Sequence, residues 1–176
     1  DFNKEFIFSP RTAFSIKPNW EKDFLFKLSG GVYYQPPFYR EMRDLDGIVN
    51  PDIKSQASYQ AVLASDYNFK AWERPFKLTT EVYYKHMNNL IEYKDGALPS
   101  DNVNDNTDNL LVFGEGWAYG IEFFFKKSVG RFTGWIGYTW AKTERRFPDI
   151  NEGNIYPAKY DRRHDLSLVG TYKLNE

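Results

Sequence analysis

The sequence contains two histidines, the residue type that most often carries protons in active sites near neutral pH. His86 follows a strand-like run, and His164 lies in the charged run Asp-Arg-Arg-His-Asp at 161–165. A carboxylate beside a histidine can serve acid–base hydrolysis or hold a metal ion. Charged clusters at the start of a strand are more often rim salt bridges, so we predict no catalytic residue, no metal ligand and no cofactor.

The stretch richest in oxygen ligands is the run Asp101–Asp108, whose carboxylates and amides suit a hard cation such as Ca²⁺. Its spacing does not match an EF-hand loop. Val103 stands where an oxygen ligand belongs, and no glycine supplies the sharp turn. We predict a solvated loop here, and the sequence leaves calcium binding open.

Aromatic and cationic residues also cluster just after a strand-like run. Tyr33, Phe38 and Tyr39 offer ring faces for stacking, and Arg40 adds a cationic fork. Two intervening prolines stiffen the backbone that presents them. These four residues are the best candidates for ligand contact that the sequence offers; packing of the same side chains at the rim, against a neighbouring loop, is the alternative.

Composition excludes several classes of protein. The chain has no cysteine, so it has no disulfide framework, thiolate metal site or cysteine nucleophile. It carries 23 Lys and Arg against 24 Asp and Glu, a net charge of −1, and we therefore predict no nucleic-acid partner. No apolar run is long enough for a membrane helix, yet aromatic residues make up 19% of the chain.

Alternation with a period of two residues is the main signal for secondary structure. One face of the alternating segments, which includes Leu28, Leu63 and Val82, carries no Asp, Glu, Lys or Arg; we call it the apolar face. The opposite, polar face carries nine such residues, counted from Thr12 onwards. The segments are 11–17, 24–34, 57–69, 76–84, 117–126, 132–141 and 165–174.

The connections between these segments alternate between short and long. The short ones lie at 18–23, 70–75 and 127–131, whereas roughly 35–56, 85–116 and 142–164 are long. In an up-and-down meander the short connections all lie at one end, here the turn end, and the long ones at the other, the loop end. Outer-membrane barrels have this asymmetry, and most of the segments match the length of a tilted membrane strand.

Aromatic residues of the apolar face are sorted along the strands, and aliphatic residues lie between the two groups. This order is typical of two aromatic girdles around a hydrocarbon band. At the turn end the residues are mostly phenylalanines. The tyrosines and tryptophans of the loop end are Tyr34, Tyr84, Trp117, Tyr119, Tyr138 and Trp140.

Four stretches of the sequence resemble the strand entries and rim of one known family. They are 9–11, 31–41, 118–122 and 156–165. Together they resemble the barrel of a TonB-dependent outer-membrane receptor, over nearly the whole chain. The plug domain, the segment that contacts TonB and a terminal aromatic residue are missing, so we expect this chain to be a piece of the barrel.

The resemblance implies an all-β fold: an antiparallel up-and-down meander of about seven long strands, part of a larger transmembrane β-barrel in the cell outer membrane. It also implies import of a scarce, bulky nutrient such as a siderophore, cobalamin, an oligosaccharide or a peptide. The expected partners are outer-membrane lipid, the rest of the barrel, the plug domain and, through the plug, TonB. The polar-face residues expected to face the lumen, where they brace the plug or pair across strands, are Lys27, Asp66, Glu81, Glu122 and Asp165.

Two alternatives remain open from the sequence. In a soluble β-sandwich the apolar face would be its core, and Trp135 or Trp117 could stack on sugars in a carbohydrate-binding module. A barrel enzyme would need a cluster of catalytic residues that the sequence does not contain.

Overall fold

The computed structural model describes residues 7–38, 53–93 and 111–174, which form one antiparallel sheet. Strands β1 to β6 pair in chain order, and both β7 and β8 pair with β6. The strands are β1 (Arg11–Ile16), β2 (Asp23–Gln35), β3 (Gln56–Ala71), β4 (Arg74–Tyr93), β5 (Leu111–Lys127), β6 (Phe132–Arg146), β7 (Tyr156–Pro157) and β8 (His164–Tyr172).

The predicted all-β meander is confirmed. Neighbouring strands are antiparallel throughout, and β2 to β6 are 13 to 20 residues long, against the five or six usual in soluble sheets. Over the described ranges the sheet is open, with β1 at one edge and β7 and β8 at the other. No helix among the described residues is long and apolar enough to cross a membrane.

The predicted long connection at 85–116 is wrong over much of its length, because β4 continues to Tyr93 and β5 begins at Leu111. The cause is an irregularity in the β4–β5 pairing between Met87 and Leu90, where Asn89 has a φ of 56°. Extra residues at such a bulge exchange the faces on which odd and even side chains lie. The period-two pattern therefore breaks there, although the strand does not end.

The turn between β3 and β4 is tighter than the predicted six residues. Ala71 pairs with Arg74, so Trp72 and Glu73 alone connect the strands. Both have positive φ, 49° and 59°, as the central residues of a type I′ turn do. This geometry favours asparagine and glycine, and here it is imposed on a tryptophan and a glutamate.

A small buried core lies at the loop end. Val112, Phe147 and Ile150 are buried together, and Leu90 and Tyr156 pack against them. Val112 and Gly114 share the polar face, so the segment after β6 folds back over that face.

Gly114 makes this packing possible. A Cβ at Gly114 would lie 2.6 Å from Cγ of Phe147, closer than atoms can approach. Part of the predicted long loop at 142–164 is therefore a packed cap on the sheet.

Replacing Trp72 and Glu73 by Asn-Gly should raise the free energy of unfolding by about 1 kcal/mol, because left-handed backbone is unfavourable for ordinary side chains. Urea unfolding of the protein in detergent micelles measures the change. Trp20→Asn is the control, since Trp20 is an exposed aromatic residue that has no positive φ. A turn variant less stable than the wild type would contradict the prediction.

Candidate functional site

The register of the sheet makes the apolar face continuous from strand to strand. Leu28 lies opposite Leu63, Leu63 opposite Val82, and Val82 opposite Ile121. Leu28, Leu63 and Val82 are 54%, 55% and 47% exposed. Burying such aliphatic side chains is favourable by about 25 cal/mol per Å². A large apolar surface therefore lies uncovered by the described part of the chain.

The turn end of the apolar face carries a row of contacting aromatic rings. Phe24 stacks on Tyr67 with centroids 4.2 Å apart, and Tyr67 stacks on Phe69 at 5.0 Å. Phe76 continues the row, 5.6 Å from Phe69 and 5.5 Å from Phe125. The row crosses four strands, so the aromatic residues predicted for this end contact one another as well as share a face.

The loop end of the apolar face carries tyrosine and tryptophan rings. Tyr84 and Tyr119 have centroids 6.5 Å apart, and Tyr119 lies 6.3 Å from Trp140. Trp140 pairs with Ile121, which lies two residues nearer the turn end than Tyr119. The girdle therefore runs obliquely across the rows of hydrogen-bonded pairs, as it must where strands tilt against a plane.

Beyond these rings an ionic network follows, which the sequence analysis missed. The Glu115 carboxylate accepts a hydrogen bond from the Arg146 guanidinium, and its Oε2 lies 3.3 Å from Nε2 of His86. The His86 ring stacks on Trp117, with centroids 5.6 Å apart and planes at 6°.

A second pair extends this network on β6. Lys142 Nζ lies 2.6 Å from Oε1 of Glu144, whose other oxygen is 3.4 Å from the Tyr119 hydroxyl. The apolar face thus ends in paired charges, and only the true extent of β5 and β6 reveals that these residues belong to it.

The polar face holds an ionic cluster around Asp66, whose side chain is 6% exposed. Lys27 donates to Oδ2 at 2.7 Å, and Lys77 Nζ lies 3.2 Å from the same oxygen. The Thr79 hydroxyl donates to Oδ1 at 2.7 Å. Asp66 therefore joins three strands. Lys77 was not among the predicted site residues, although it lies on the polar face of the same alternating pattern.

The other predicted polar-face residues lie on that face and form no salt bridge with any residue that the structure describes. Glu81 and Glu122 are directly opposite each other in the register of β4 and β5. Asp165 lies opposite Thr139 and accepts from the Ser167 hydroxyl at 3.4 Å. Like charges directly opposite each other destabilise a sheet, so the Glu81–Glu122 pair favours a cation or a polar partner over this part of the face.

The structure describes two of the four predicted ligand-contact residues, Tyr33 and Phe38. The Arg11 guanidinium lies 4.4 Å from the centroid of the Tyr33 ring, so that ring already has a cationic partner. Phe38 is exposed. Tyr39 and Arg40 lie outside the described residues, as does the run Asp101–Asp108.

The two histidines differ in their partners: His86 lies beside the carboxylate of Glu115, whereas His164 contacts neither Asp161 nor Asp165. His164 Nδ1 lies 2.8 Å from the Tyr138 hydroxyl, while Asp161 pairs with Arg163 at 2.9 Å and Asp165 lies on the other face. Over the described ranges no three His, Cys, Asp or Glu side chains are placed to hold a metal ion.

The sandwich alternative requires a second sheet, and the described residues form one. Its two candidate sugar-stacking rings are also in contact with other rings. Trp135 lies 5.5 Å from Phe124, and Trp117 is stacked on His86. No family model, curated protein or solved structure matches the chain.

Asp66→Asn should lower the free energy of unfolding by about 1–2 kcal/mol, because two lysines then lose the carboxylate that holds them together. Urea unfolding in detergent micelles measures this loss. Asp165→Asn, an exposed site with one weak hydrogen bond, should change stability by less than about 0.5 kcal/mol. Equal effects of the two substitutions would show that the cluster has no structural role.

Proposed function

We propose that this chain forms part of the wall of an outer-membrane β-barrel, of the TonB-dependent receptor type, that imports a bulky scarce nutrient. The observation that carries the proposal is the apolar face. It stays free of charge over the hydrophobic stretches of seven strands, and its aliphatic centre is half-exposed. A hydrocarbon solvent accepts such a surface, whereas water does not.

The order of side chains across the face supports a membrane as that solvent. Aliphatic residues occupy the centre, phenylalanines one border, and tyrosines and tryptophans the other. Amphipathic rings concentrate where hydrocarbon meets water. The oblique course of the loop-end girdle fits strands that cross a bilayer at a tilt.

The strand lengths support the same proposal. A tilted strand needs about 9–11 residues to cross the hydrocarbon. β4 has 20 residues and β5 has 17, so both have residues to spare beyond it. The paired charges of Glu115, Arg146, Lys142 and Glu144 lie at the loop ends of β5 and β6, where water and headgroups would replace hydrocarbon.

The proposed role is structural and non-enzymatic. The polar face would line the interior and contact a plug domain through Asp66 and the Glu81–Glu122 pair. The long connections would contribute to the ligand-binding surface, and TonB would act through the plug. The edges at β1 and β8 would pair with further strands, because open edges cannot remain in hydrocarbon.

In the complete barrel that this chain would help to form, Ile136→Lys should prevent insertion into vesicles. The residue lies on the apolar face, where a lysine costs about 2–4 kcal/mol near the bilayer centre. Thr139→Lys, three residues along the same strand on the polar face, should insert like the wild type. The measurement is the protease-resistant fraction after refolding of that barrel into phosphatidylcholine vesicles.

Equal behaviour of the two variants would contradict a lipid-facing apolar face. A monodisperse wild-type protein that melts cooperatively in buffer without detergent would contradict the proposal independently, because the exposed apolar face should then cause aggregation.

A further inference from the structure

Two cationic side chains converge on one glycine at the turn end. The position that a Cβ would occupy on Gly130 contacts Nη1 of Arg74 and lies 3.2 Å from Nζ of Lys127. Gly130 has a φ of 115°, which also favours glycine there. The lack of a side chain at Gly130 thus allows the Arg74 guanidinium and the Lys127 ammonium group to lie close to each other.

No carboxylate of residues 7–38, 53–93 or 111–174 forms a salt bridge with either cation. Lys127 donates a hydrogen bond to the backbone oxygen of Phe132. The adjacent groove of about 770 Å³ is lined by two carboxylates, Glu21 and Asp23, and by four lysines, Lys22, Lys70, Lys77 and Lys126.

The pair lies at the border of the apolar face. Lys127 pairs with Phe76 in the register, and its ammonium group lies 5.9 Å from the centroid of the Phe132 ring. Arg74 precedes Phe76 by two residues and shares its face. These cations are therefore the next groups beyond the turn-end aromatic rings. The equivalent position at the loop end holds cations that are already paired with carboxylates.

We propose that Arg74 and Lys127 bind the phosphate of an anionic membrane lipid whose acyl chains lie along the turn-end rings. This inference rests on the proposed membrane function. A guanidinium offers a planar fork to two phosphate oxygens, and an ammonium group adds a point charge. A lipid, unlike free phosphate, contacts the cation pair with its headgroup and the neighbouring apolar surface with its acyl chains.

The test uses the complete barrel that contains this chain, reconstituted in phosphatidylcholine vesicles that contain spin-labelled phosphatidylglycerol or spin-labelled phosphatidylcholine. The lipid fraction immobilised by the protein gives its preference for the anionic headgroup. One cation near a phosphate contributes about a fivefold preference. We expect at least about that preference in the wild type and a value near one in Arg74→Gln/Lys127→Gln.

Lys70→Gln/Lys126→Gln is the matched control, because it removes the same charge from the polar face at the same end. It should keep most of the preference. An equal loss in both double variants would overturn the inference in favour of general electrostatic attraction. Displacement of the labelled lipid by inorganic phosphate at constant ionic strength would overturn the lipid as the ligand.

The outcomes separate the two proposals. A protein that inserts into the vesicles but shows no headgroup preference contradicts the phosphate site alone. A wild-type protein that inserts into neither kind of vesicle contradicts the proposed function, and the phosphate site with it. Circular dichroism and protease resistance establish that each double variant is folded before its preference is measured.

Discussion

The described part of the chain makes one apolar face and supplies no second layer to cover it. The rest of the structure follows from this constraint. A sheet buried by its own chain can end its strands wherever its core ends. Here β2 to β6 run on to 13–20 residues, and the register keeps the aliphatic positions, such as Leu63 and Val82, together on one side. Slipping a strand by one residue would place Asp66 or Glu81 among the leucines.

The two faces deal with charge in different ways. On the polar face, Lys27 and Lys77 share Asp66, so one nearly buried carboxylate joins three strands. Four residues further along β4, Glu81 and Glu122 stand opposite each other with neither joined to a cation among the described residues. That contrast fits a polar face whose charges are paired within the sheet at Asp66 and would be paired by another polar surface at Glu81 and Glu122.

The two ends of the apolar face also differ. At the loop end the tyrosines and tryptophans lead into paired charges, of which Arg146 with Glu115 is one. At the turn end the phenylalanines lead into Arg74 and Lys127, which form no salt bridge with a carboxylate in the part of the chain that the structure describes. Rings at both ends define the width of the apolar band, while the charges beyond them give its two borders different chemistry. In the proposed barrel, these borders would meet the two leaflets of the membrane.

The sequence alone determined the all-β class, the two faces and the short turns, because alternation is local. The residues of a strand by themselves decide which of its sides is apolar. It could not determine the length of β4, since the bulge at Asn89 exchanges the faces and hides the continuing strand. Other features depend on residues far apart in sequence. The Phe147 core, the Arg11 contact that occupies Tyr33 and the approach of Arg74 to Lys127 are such cases. Only the register and the turns of the folded sheet decide which distant side chains meet.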